Sequence, residues 1–243
     1  MGLRHRMCPS TLWVLEAMIY CLHGAVGNFK AWEILREDLG HSMKAVDLWR
    51  FFDQATPTLT EAGQSICRAA SSGDILLGYS MGGRLALQAL LADPQKWKAA
   101  IIVSTHPGLV EGQQERRTKD LKWAALSARD WESFLREWNQ QSVLDSLPEG
   151  LHQADISDQK QVSQSFKNWS LGTQDDLRPE LTKINCPVLW ISGEHDPKFT
   201  TLAKEACELL PNSEHLVIKN SGHRAPWDQP SKFRAIINDF LKQ

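Results

Sequence analysis

Gly78-Tyr79-Ser80-Met81-Gly82 constrains the possible folds of this chain more than any other stretch of its sequence. The apolar run Ile75-Leu76-Leu77 enters it, and Leu85, Ala86, Leu87, Ala89, Leu90 and Leu91 leave it at helical density. A G-x-S-x-G pentapeptide between a buried strand and a helix forms a sharp elbow. The glycines are there because neighbouring backbone comes too close for side chains. The serine hydroxyl then stands at a helix N-terminus, where unpaired amides and the helix dipole favour negative charge. Ser80 is therefore a candidate nucleophile or base.

Such a serine needs an acid and a histidine further along, in the order serine, acid, histidine. Ile191-Ser192-Gly193-Glu194-His195-Asp196 ends one apolar run, and Asn220-Ser221-Gly222-His223 follows the next. His223 would take the hydroxyl proton, and Asp196 would fix its tautomer and stabilise the imidazolium. Alone, His223 reads as a surface-loop histidine and Asp196 as a turn or helix cap. Together, in order and in successive strand-end loops, they read as a triad. Glu194 and His195 compete for these roles, but Asp196, nearest the following helix, is the better acid. The remaining histidines, His106 among them, read as structural. An oxyanion hole needs the amide after the serine and one from the loop after the first strand, which selects Met81 and Ala25.

Apolar runs at 18–22, 44–48, 74–78, 99–104, 187–192 and 215–219 alternate with helical patterns at 32–39, 59–70, 202–210 and 231–241. That alternation predicts a mostly parallel sheet flanked by helices, with ligands at the carboxyl ends of the strands. Between Ser104 and Lys183 no strand pattern appears. Trp131, Phe134, Leu135 and Trp138 fall at i, i+3, i+4 and i+7, the spacing of one apolar helix face. This region, about 105–183, is expected to be a helical cap inserted between the strand near Ile101 and the strand near Leu189, within a single domain spanning 1–243. Gln153 to Lys167 is polar and only weakly periodic.

The net charge of −2 offers no footprint for nucleic acid or anionic membrane, and no apolar run approaches a membrane span. Five scattered cysteines without C-x-x-C spacing argue against a disulfide framework or a zinc site. A reducing, cytoplasmic setting is expected, with no cofactor and no metal. Residues 1–22 resemble a signal peptide in charge order, but cleavage there would destroy the loop at His23-Gly24. Met18 reads as a second plausible start, and Trp13-Val14-Leu15 as a candidate edge strand.

From His23-Gly24 through the elbow to His223, these residues resemble the α/β-hydrolase superfamily. A narrower likeness rests on G-Y-S-M-G-G-R at Gly78–Arg84, H-P-G-L at His106–Leu109, E-R-R-T-K-D-L-K-W at Glu115–Trp123, E-W-N-Q-Q at Glu137–Gln141 and D-P-K-F at Asp196–Phe199. This set is similar to the 2-succinyl-6-hydroxy-2,4-cyclohexadiene-1-carboxylate synthases, the MenH family. The resemblance implies an α/β-hydrolase fold and a lyase of menaquinone or phylloquinone biosynthesis that eliminates pyruvate from a cyclohexene intermediate. It also implies that Ser80, Asp196 and His223 act in proton abstraction, that Ala25 and Met81 stabilise an enolate-like charge, and that Tyr79, Arg84, Arg116 and Trp138 contact a small acidic substrate.

Arg84 lies one turn beyond Ser80 on the same helix face, so its guanidinium can reach the same cavity. Arg116 sits in a charged run whose default is a solvated face, and Trp138 serves core packing as readily as a pocket. Two departures stand out. Leu48-Trp49-Arg50-Phe51-Phe52 replaces a P-G-H-G-like turn, and 139–176 contains no arginine. A serine carboxylesterase or thioesterase using the same triad is the alternative. A binding protein on a retired scaffold is a third, weakened by the intact triad.

Overall fold

The computed structural model describes residues 17–36, 39, 42–52, 56–144, 148 and 151–242. The candidate edge strand at Trp13-Val14-Leu15 lies outside the described residues. Among the described residues, β1 (Ile19–Leu22), β2 (Met43–Val46), β3 (Ile75–Tyr79), β4 (Ala99–Val103), β5 (Val188–Gly193) and β6 (Ser213–Ile218) form one sheet. Its order is β2-β1-β3-β4-β5-β6, and every pairing is parallel. The chain first steps outward from β1 to β2, then returns past β1 to β3 and continues in the opposite direction. This reversal opens a crevice at the carboxyl ends of β1 and β3. The loop at Gly24-Ala25 and the elbow at Ser80 sit there.

Burial on both faces explains why β3, β4 and β5 read as unbroken apolar runs. Leu22, Leu76, Ala100 and Trp190 face one core, and Ile19, Ile75, Ile101 and Leu189 the other. Helices cover both faces: α1 (Leu48–Phe51), α2 (Leu59–Ala69), α3 (Met81–Ala92), α7 (Pro197–Leu209), α8 (Ala225–Asp228) and α9 (Pro230–Leu241). Helix α2 starts with a capping box between Thr58 and Glu61. Helix α3 is buried almost all round, as its alanine- and leucine-rich sequence requires.

Between β4 and β5 the described elements are helical: α4 (Gln113–Arg129), α5 (Trp131–Asn139) and α6 (Gln159–Asn168), with short 3-10 turns. The aromatic stripe of α5 packs inward. Phe134 and Trp138 lie 5.8 and 5.2 Å from the Phe166 ring, and Trp123 of α4 meets them at 6.0 and 5.5 Å. Val162 and Phe166 supply the buried face of α6, which the polar sequence of 153–167 only faintly announces.

Three boundaries differ from the sequence pattern. The apolar run 44–48 ends as a strand at Val46, because Asp47 turns the chain by accepting the Trp49 amide and capping α1. The helix expected over 32–39 is, in its described part, a 3-10 turn Phe29–Leu35 opened by the Asn28 side chain, which accepts from the Lys30 amide. The last strand starts two residues earlier than its apolar pattern, at Ser213, since only one side of this edge strand is covered.

Candidate active site

The elbow carries local strain. Ser80 has φ 52° and ψ −109°, outside the regions open to residues with a side chain. It is held there by a bond from its amide to the Val103 carbonyl and by its own carbonyl, which accepts from Arg84. Gly82 follows because a Cβ there would come within 2.2 Å of the Leu22 carbonyl oxygen. The close approach of α3 to the end of β1 brings Ser80 beside the Gly24-Ala25 loop. Met81 is the first residue of α3, so its amide has no partner within the helix.

Behind the elbow, the loops after β5 and β6 are tied to each other. The His195 amide donates to Ser221 O, and the Asn220 amide donates to the Glu194 carboxylate. Glu194 is thereby engaged in loop structure and His195 points outward, which leaves Asp196 facing inward. Its Oδ2 lies 2.7 Å from His223 Nδ1, and His223 Nε2 lies 3.1 Å from Ser80 Oγ. Both Asp196 and His223 are only 5–6 % exposed. Phe199 packs on the His223 ring at 4.4 Å, and Tyr79 approaches it at 5.6 Å. Such a chain can move a proton off Ser80 while the acid holds the imidazole in one tautomer.

Helix α1, which stands in place of a P-G-H-G-like turn, braces the opposite wall. Trp49 Nε1 donates to Gly27 O at 2.8 Å, and the Leu48 amide donates to His23 Nε2. His23 Nδ1 is then left to donate to Gly24 O, 3.0 Å away. Burial pushes the His23 pKa down to about 4, against smaller upward pulls from the Gly24 carbonyl and Asp47. A neutral histidine thus anchors the loop that presents Ala25.

Ser80, Tyr79, Met81, Ala25, His223, Arg84, Arg116 and Trp138 all line one cavity of about 470 Å³. Arg84 is 7 % exposed and donates to Gln174 Oε1 and the Trp169 carbonyl, both at 2.6 Å. Burial and the neighbouring Arg116 push its pKa down to about 9. Arg116 does not lie on a fully solvated face: its Nε bonds both oxygens of Asp120 at 2.9 and 3.0 Å, and Asp120 also accepts from Ser170. Trp138 belongs to the aromatic core and the cavity wall at once.

The cavity also contains three groups to which the sequence assigns no site role. His106 follows β4, Lys198 follows β5 and Arg224 follows β6. Their signals in the sequence are the H-P-G-L and D-P-K-F stretches that contain His106 and Lys198 and, for Arg224, a position just beyond a strand end. Arg224 donates to Asn139 Oδ1 of α5 and interacts with the Tyr79 hydroxyl. Among the described residues, no cluster of three or more His, Cys, Asp or Glu side chains is arranged to hold a metal, and no helix is long and apolar enough to cross a membrane.

A family model described as alpha/beta hydrolase fold matches residues 18–230. The chain belongs to the α/β hydrolase fold family. Within it, the chain is 29% identical to 2-succinyl-6-hydroxy-2,4-cyclohexadiene-1-carboxylate synthase of Enterobacter sp. (strain 638), over 91% of this chain and 90% of that protein. The solved structure of MenH from S. aureus superposes with a TM-score of 0.81 and 25% identity, covering 93% of each chain. A malate-bound esterase from Thermogutta terrifontis shares the α/β hydrolase fold at TM-score 0.77 and 19% identity, covering 93% of this chain and 89% of its own.

Proposed function

We propose that this α/β hydrolase fold protein is a carbon-oxygen lyase of menaquinone or phylloquinone biosynthesis. It eliminates pyruvate from 2-succinyl-5-enolpyruvyl-6-hydroxy-3-cyclohexene-1-carboxylate to give 2-succinyl-6-hydroxy-2,4-cyclohexadiene-1-carboxylate. The observation that carries this reading is the charge of the cavity. Arg84, Arg116, Lys119, Lys198 and Arg224 line it, against Asp120 as the one carboxylate among the described lining residues. An acyl chain gains nothing from buried guanidinium groups, whereas a substrate with several carboxylates does. Relatives matched along about nine-tenths of the chain bear the name of this reaction, which supports the same substrate class.

The double bonds define the chemistry. A 3-ene bearing a 5-oxygen substituent becomes a 2,4-diene, so a proton leaves C2 and the C5–O bond breaks. His223 takes the Ser80 proton while Asp196 holds its other ring nitrogen, and the Ser80 alkoxide removes the C2 proton. The C2–H electron pair becomes the C2=C3 bond, the C3=C4 pair moves to C4=C5, and the C5–O pair departs with the enolpyruvyl oxygen. The His223 imidazolium protonates that oxygen, and the released enol becomes pyruvate. C2 is adjacent to the succinyl carbonyl, whose oxygen gathers the developing charge. The Ala25 and Met81 amides are the donors for it, a role worth about 3 kcal/mol per donor. No water is consumed.

The test is to incubate the purified protein with the pyruvyl substrate and follow pyruvate release, beside hydrolysis of 4-nitrophenyl acetate. Pyruvate release far faster than ester cleavage is expected. Ester cleavage without pyruvate release would replace this reading with a serine esterase.

A further inference from the structure

His106 reads from sequence as a structural residue, but its surroundings give it another use. It follows β4 in the loop His106-Pro107-Gly108, which several bonds hold still. Pro107 O accepts from the Leu177 amide and from Gln174 Nε2, and Gly108 O accepts from Arg178. Within this loop the Gly108 amide donates to His106 Nδ1 at 3.2 Å. An imidazolium would set N–H against N–H at that contact, so the bond selects the neutral ring with its proton on Nε2. The side chain is more than nine-tenths buried yet lines the cavity above Ser80. Among the described residues no protein group hydrogen-bonds Nε2. Phe199, which packs on His223, also meets the His106 ring edge-on at 6.4 Å.

The charges that act on this ring are those of cations, two of them paired with carboxylates: Arg116 with Asp120 and Arg178 with Asp176. Lys198, Arg178, Arg84 and Arg116 act on it, and with burial as the leading cause they push its pKa down to about 3. Lys198, in the first turn of α7, and Arg116 of α4 line the same cavity as His106, so cations from two further elements share that space. Arg84 is engaged through Nε and a terminal nitrogen with Gln174 and Trp169, whereas Arg116 is bound to Asp120 through Nε, so its terminal nitrogens and Lys198 are nearer to ligand duty.

We propose that His106 is a substrate-binding residue: a fixed, neutral Nε2–H donor that, with Arg116 and Lys198, holds a carboxylate of the acidic substrate. A neutral donor beside cations adds a directed bond to a carboxylate without adding further charge repulsion. The choice of a carboxylate rests on the reaction proposed above. The donor geometry does not.

Two substitutions separate binding from loop structure. His106→Asn places an amide oxygen where Nδ1 stood, so it keeps the Gly108 bond and loses the donor. His106→Gln places an amide nitrogen near the Nε2 position and loses the Gly108 bond. The measurements are KM for the pyruvyl substrate, the Kd of the aromatic diacid 2-(3-carboxypropanoyl)benzoate by calorimetry, and the melting temperature. His106→Asn should weaken both binding constants about ten- to a hundredfold at an unchanged melting temperature, and His106→Gln should recover part of the loss. Wild-type affinity in His106→Asn overturns the proposal. So does an equal loss in both variants that follows a fall in melting temperature, or a wild-type protein that does not bind the diacid. If the wild type binds the diacid with the expected variant pattern yet releases no pyruvate, the proposed reaction fails and His106 keeps its role.

Discussion

The elbow strain can be weighed by comparing Ser80→Ala with Ser80→Gly. Both variants lose the hydroxyl and its bond to His223, so their difference isolates the backbone. At φ 52° and ψ −109° a residue with a Cβ costs about 1–3 kcal/mol, and glycine removes that cost. Glycine also gains freedom in the unfolded chain, which opposes the effect by roughly 0.5–1 kcal/mol. The net advantage of Ser80→Gly is therefore about 1 kcal/mol. For a chain of this length that is a melting temperature about 2–4 °C above that of Ser80→Ala. Thermal melts followed by circular dichroism read it directly, and both variants should be inactive. A Ser80→Gly protein melting at or below Ser80→Ala would show that the elbow stores no strain.

The remaining expectations concern the site itself. His223→Ala and Ser80→Ala should each lower pyruvate release by about three orders of magnitude or more with the fold intact, and Asp196→Asn somewhat less; near wild-type turnover in either alanine variant excludes the triad roles. Arg84→Ala and Arg116→Ala should cut catalytic efficiency on the acidic substrate about ten- to a hundredfold while sparing any neutral ester, and equal losses on both would mark them as structural. Burial of His23 makes acid destabilising. The His23 pKa is lowered from 6.5 to about 4, so the unfolded chain takes up that proton first and stability falls as pH drops from about 6.5 towards 4. Urea midpoints across that range should fall with acid, and His23→Asn should flatten the slope; an unchanged slope would show that the folded protein accommodates the proton.

Local chemistry makes much of this protein legible in its sequence. Glycine spacing around Ser80, the apolar runs of a sheet buried on both faces, and Asp196 and His223 just beyond two of its strands are features of neighbouring residues, set by sterics and burial. Other features depended on contacts between distant segments. The run Leu48–Phe52 carries no motif, yet it becomes the helix whose Trp49 and Leu48 hold Gly27 and His23. Whether Arg116 is solvated or lines a cavity depends on how α4 lies over the strand ends, and Asp120 and Ser170 show their link only across 50 residues. His106 looked structural because a lone histidine has no preferred partner in sequence. Its tautomer follows from a local bond to Gly108, but its place in the cavity wall and the cations that act on it arise when the loop after β4 meets α4 and the start of α7. Hydrogen-bond geometry and electrostatics act through space over a few ångströms, and for these residues only the packed chain determines which groups lie within that distance.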